Sequence, residues 1–100
     1  MMKKADIQKM QDLYNQWVEL LPELEKGLEQ WKKAAELLEP LSQFYASPKW
    51  RELHDSFDEE LDTKGNYSIL SEDALWNALA EQHQLALEWL RLSTALITKE

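Results

Sequence analysis

Apolar side chains recur every three and four residues from Ile7 to Tyr45, through Met10, Tyr14, Trp17, Leu21, Leu24, Leu28, Trp31, Ala35 and Leu38, and only Ser42 interrupts the ladder. With Ile7 as heptad position a, Leu13, Leu20, Ala34 and Leu41 fall at g, so the apolar stripe is wider than the seam of a two-stranded coiled coil. A stripe of that width belongs in a helical bundle. It constrains architecture strongly and activity hardly at all, because a fold by itself does not imply a function.

The periodicity predicts one long bent helix over about 4–45. Pro22 removes a hydrogen bond to the carbonyl of Val18 and crowds it, at about 3 kcal/mol or a kink. Yet the heptad phase runs through Pro22 without a slip. Pro22 at b and Pro40 at f both lie off the seam, where a proline bends a helix around its core and does not end it. Ser47 followed by Pro48 reads as an N-cap and first helical position, opening a short helix over about 48–60. Asp62-Thr63-Lys64-Gly65-Asn66 is turn chemistry within a loop over about 61–70. Ser71 reads as the cap of a final helix over about 72–98, with Glu72 and Asp73 opposing the positive end of its dipole. In that helix Leu75, Ala78, Leu79, Leu85, Ala86, Trp89, Leu92 and Leu96 form one stripe, and Trp76, Leu90 and Ile97 form another beside it. One neighbouring helix does not bury so broad an arc.

Residues 1–100 are expected to form a single helical domain, of a size that leaves much of its surface wet. The absence of cysteine excludes a disulfide, a thiolate nucleophile and a cysteine metal site, and fits a reducing compartment. Met1-Met2-Lys3-Lys4 turns polar at once, unlike a signal peptide, and eighteen consecutive apolar residues occur nowhere, so the expected location is cytoplasmic, with no membrane. The net charge of -8 is concentrated in the middle, where residues 36–73 carry three basic and ten acidic side chains. Asp55, Asp58, Glu59, Glu60 and Asp62 crowd into eight positions, and a field of that sign repels phosphate backbones, so no direct nucleic-acid binding is expected.

From Phe44 onward the order of signals is distinctive: Phe44-Tyr45-Ala46-Ser47-Pro48-Lys49-Trp50, an acidic stretch, then Leu70-Ser71-Glu72-Asp73-Ala74-Leu75-Trp76-Asn77 before a Leu-rich helix. The chain resembles a family of small acidic bacterial proteins catalogued only as a domain of unknown function. Its pattern is aromatic-Tyr-x-Ser-x-x-Trp, an acidic linker and Leu-Ser-Glu-Asp-Ala. The matching positions are Tyr45, Ser47, Trp50, Leu70, Ser71, Glu72, Asp73, Ala74, Asn77 and Leu79. The resemblance implies an all-helical fold and a bacterial cytoplasmic origin, and it supplies no activity.

Of the five tryptophans, Trp17, Trp31 and Trp89 read as core anchors, and Trp50 as the residue that pins the linker onto the bundle. Glu36 and Glu39 have the E-x-x-E spacing of helical Mg²⁺-dependent nucleotide hydrolases, but stand at b and e, outside or at the margin of the core. Asp55 and Asp58 repeat the spacing without a facing partner. His54-Asp55 lacks further ligands, because the one other histidine, His83, lies in the outer stripe of the last helix. A calcium loop from Asp62 fails, with Lys64 at a ligand position and Tyr67 where glycine is needed. No serine has a local base.

These features predict an all-α protein in which the long helix packs antiparallel on the C-terminal helix, with the short helix and acidic linker across one end. The expected function is non-enzymatic: a protein–protein interaction or scaffold module that self-associates, most simply as a two-fold dimer, with no cofactor. Its candidate interaction surface comprises Trp50, Asp55, Asp58, Glu59, Glu60, Asp62, Trp76 and Leu90. An acidic decoy occupying a partner's basic nucleic-acid-binding surface is the alternative, and a metal-dependent nucleotide hydrolase is third.

Overall fold

A computed structural model describes residues 3–99. The chain is all-helical: α1 spans Lys4–Ala46, α2 Pro48–Ser56 and α3 Ala74–Ile97, and no strand occurs among the described residues. Helix α1 is continuous through both Pro22 and Pro40, as the unbroken heptad phase requires. Two compact units divide the chain, one up to Leu37 and one from Leu38 onward, with the division inside α1.

The first unit contains a single helix and no second element against which to build a core. In the second unit lie Trp50 and Leu75, 4% and 3% exposed, the two buried side chains among the described residues. Trp50 sits in the first turn of α2, where Tyr45 meets it edge-on at 4.9 Å and 73°. His54, one turn further along α2, stacks on it at 5.0 Å and 10°. The Arg51 guanidinium lies 5.3 Å from the ring centre, a cation–π distance.

Both rings of α2 also hold the linker by its backbone. The Trp50 indole N–H donates to the Ile69 carbonyl at 2.8 Å, and His54 Nδ1 is paired with the next carbonyl, that of Leu70. A carbonyl only accepts, so this contact requires the proton on Nδ1. Trp50 therefore pins the linker as its position in the sequence suggests.

The boundaries differ from expectation in instructive ways. Helix α2 ends at Ser56, four residues short of 60, because Phe57 is already extended (φ -74°, ψ 124°). Asp58, Glu59 and Glu60 would otherwise place negative charge at the negative end of the helix dipole. Ser47 occupies the N-cap position of α2, with Pro48 beginning the helix, but its hydroxyl does not cap α2. It donates instead to the Phe44 carbonyl at 2.6 Å, closing the last turn of α1. Ser71 behaves alike. Helix α3 begins at Ala74 with Asp73 at the cap position, while the Ser71 hydroxyl donates to the Ser68 carbonyl at 2.7 Å.

The turn at 62–66 forms as expected, although the positive φ falls on Lys64 (51°) and Gly65 (83°). The Lys64 N–H donates to Asp62 Oδ1 at 3.2 Å and the Asn66 N–H to the Thr63 carbonyl at 3.0 Å, which holds the strained conformation in place.

Replacing Trp50 by Ala should destabilise the second unit by about 3 kcal/mol or more, the usual cost of deleting a buried large aromatic. Trp50→Phe should cost less, because it keeps a ring for Tyr45 and His54 while orphaning the Ile69 carbonyl. By contrast, changing Asp58, Glu59 and Glu60 together to Asn and Gln should leave the urea midpoint unchanged or raise it. Lys64→Asn should raise stability by up to about 1 kcal/mol, since asparagine tolerates the left-handed region better than lysine. Urea titration followed by circular dichroism reads all four.

Candidate interaction surface

The acidic segment is solvated throughout. Asp55 projects from α2, and Asp58, Glu59, Glu60 and Asp62 follow it in the linker, every one exposed. Asp62 is engaged locally, 3.6 Å from the Lys64 ammonium. Among the described residues the carboxylates of Asp55, Asp58, Glu59 and Glu60 make no hydrogen bond or ion pair, so four uncompensated carboxylates lie within six positions. Trp50 does not belong to this surface. Its burial lets it shape the linker and keeps it from a partner.

On α3 the burial of the main stripe fades along the helix. Leu75 is buried and Ala78, Leu79 and Gln82 are half-buried, whereas Leu85, Trp89 and Leu92 are exposed and Leu96 reaches 73%. Trp76, His83, Leu90 and Ile97, spaced seven residues apart, form an exposed line on the same helix. Trp76 and Leu90, placed in the candidate interaction surface, are exposed, and Trp89, read as a core anchor, is 41% exposed.

The seam of α1 is also wet. Ile7, Met10, Leu13, Tyr14, Trp17, Val18, Leu20, Leu21, Leu24 and Leu28 are each between 38% and 61% exposed. Trp17, expected in the core, is 49% exposed, and Trp31 is half-buried. The periodicity identified the apolar face correctly, but no described part of the chain covers it fully. Contiguous wet apolar surface on this scale exceeds what a monomeric protein ordinarily exposes.

Sequence reasoning passed over an open cleft of about 630 Å³ between the 65–69 segment and the first two turns of α3, lined by Asn66, Tyr67, Ile69, Leu75, Asn77 and Glu81. Exposed Tyr67 beside Gly65 was the available signal, since a large aromatic in a polar turn has no local reason to be there.

The carboxylates suggestive of metal chemistry do not converge. Glu39 accepts from the Gln43 amide at 3.0 Å, and Glu36 borders a shallow surface groove with Glu29, Lys32 and Lys33. His54 is committed to the Leu70 carbonyl. Among the described residues no three His, Asp or Glu side chains are grouped so as to hold a metal ion.

The fold and surface define a small helical protein with one clasped unit and long wet apolar seams. A family profile described as a domain of unknown function (DUF4298) matches residues 7–92, and the chain belongs to that family. No curated protein and no solved structure matches it. The two halves of the sequence pattern are joined in space: Trp50, from the aromatic-Tyr-x-Ser-x-x-Trp half, and its stacked neighbour His54 grip the carbonyls of Ile69 and Leu70 at the start of the Leu-Ser-Glu-Asp-Ala half.

The melting temperature should not change with Mg²⁺, Mn²⁺, Ca²⁺ or Zn²⁺, because an ion bound to the native state would raise it by mass action. A rise of several degrees with one ion, abolished by Glu36→Gln or Asp58→Asn, would restore the hydrolase reading.

Proposed function

We propose that this protein is a non-enzymatic cytoplasmic interaction module whose apolar helical seams are completed by protein partners, in the first place by self-association. The observation that carries this reading is the α1 seam from Ile7 to Leu28, whose large side chains stand about half exposed in the folded chain. Burying apolar surface contributes about 25 cal/mol per Å², so a seam of this length supplies a strong drive to associate. The lack of cysteine fits a reducing compartment and so supports the cytoplasmic part of the proposal. Among the described residues no helix is long and apolar enough to cross a membrane.

The exposed and unpaired Asp55, Asp58, Glu59 and Glu60 support a second reading, an acidic face that occupies a partner's basic surface. Such a contact weakens as salt rises, whereas an apolar seam does not.

Light scattering at micromolar concentration should report about twice the chain mass of 11.8 kDa, with little dependence on salt. A strictly monomeric chain up to millimolar concentration would exclude self-association. Capture of a basic protein that is lost in high salt, and lost in the Asp58/Glu59/Glu60 neutral variant, would favour the acidic face.

A further inference from the structure

Resting on the self-association reading, we infer that the Lys4–Gly27 stretch of α1 pairs antiparallel with the same stretch of a second copy, about a two-fold axis between Asn15 and Gln16. The a and d positions along it are Ile7, Met10, Tyr14, Trp17, Leu21 and Leu24, all exposed and all on one unbroken helix. At about 1.5 Å per residue the stretch is roughly 36 Å long, more than three heptads, which is enough for two helices to hold one another.

Charge selects the arrangement. In an antiparallel pair each a residue meets a d residue of the partner, and e faces e while g faces g. Placing the axis between Asn15 and Gln16 brings Ile7 opposite Leu24, Met10 opposite Leu21 and Tyr14 opposite Trp17, each layer occurring twice. On the g side Leu13 then faces Leu20, so the two residues that widen the stripe cover each other. On the e side Lys4 faces Glu25. Neither the Lys4 ammonium nor the Glu25 carboxylate makes a hydrogen bond or ion pair with any described residue, so both charges are available.

The other arrangements are worse. Sliding the pair outward by one heptad sets Lys4 against Lys32. Sliding it inward by one heptad leaves Leu21 and Leu24 uncovered as well as Leu28. A parallel pair sets Leu20 against Glu25 and gains no ion pair. An exposed ion pair adds little to affinity, but flanking charges decide register and orientation where apolar layers alone would permit several.

Because the chain has no cysteine, introduced thiols report the geometry directly. Met10→Cys and Leu21→Cys proteins, oxidised separately with copper phenanthroline, should stay uncrosslinked, while their mixture should yield a disulfide-linked dimer. As a second measure, Lys4→Glu and Glu25→Lys should each raise the dimer dissociation constant roughly three- to tenfold, and the double variant should restore it. Efficient crosslinking of Met10→Cys with itself, or of Met10→Cys with Leu28→Cys in place of Leu21→Cys, would overturn the register while self-association stands. A dimer unaffected by Leu21→Glu would place the contact away from α1. A chain that stays monomeric at every concentration would overturn both this pairing and the reading on which it rests.

Discussion

The hydrogen bond from the Trp50 indole to the Ile69 carbonyl is the contact on which the second unit depends. It joins α2 to a linker that carries few apolar residues and many charges, and that has little means of ordering itself. His54 takes the next carbonyl and stacks on the same indole, so two side chains one helical turn apart hold two consecutive peptide groups. The serines on either side close the adjacent turns through their own backbone bonds, Ser47 to Phe44 and Ser71 to Ser68. With Trp50 buried and its N–H engaged, deleting the ring removes packing and leaves the Ile69 carbonyl without its indole donor.

The heptad ladder made α1 legible, including its passage through Pro22, because a proline at b lies off the apolar face and costs only one hydrogen bond. Pro48 and the 62–66 turn were legible for the same kind of local reason. What the ladder could not convey is coverage. Periodicity reports which face of a helix is apolar and is silent about what lies against it, so Trp17 and Trp89 read as core residues although the chain leaves both substantially exposed. The serine caps misled for a different reason. A hydroxyl both donates and accepts, and at Ser47 and Ser71 it donates to the carbonyl three residues back, which also accepts the serine's own backbone N–H, and does not accept from the helix N–H groups. The role of His54 had no sequence signal, since its partner is a backbone carbonyl 16 residues away.

Most of the uncompensated charge and most of the wet apolar surface lie on different elements. The uncompensated carboxylates occupy the end of α2 and the linker, whereas most large wet side chains lie on α1 and α3, with Leu61, Tyr67 and Ile69 the exceptions within the linker. In the proposed module this separation gives each surface its own selectivity. The seams respond to shape and apolar area, while the linker repels anions and discriminates by sign. A dense acidic segment also discourages indiscriminate stacking of exposed seams, because copies that approach with their linkers together repel one another.

The clasp also bears on the order of events after synthesis. Its two long-range bonds span only 19 and 16 residues, loops whose closure entropy is small and grows slowly with length. Contacts so local close on the microsecond scale typical of small elements. Two chains at micromolar concentration, meeting at ordinary association rates of about 10⁶ M⁻¹s⁻¹, take on the order of a second to find each other. The linker is therefore shaped long before any encounter. If the proposed pairing holds, a newly released chain has its second unit finished while the α1 seam is still unclaimed, and that interval is when chaperones would compete with the second copy for the same residues.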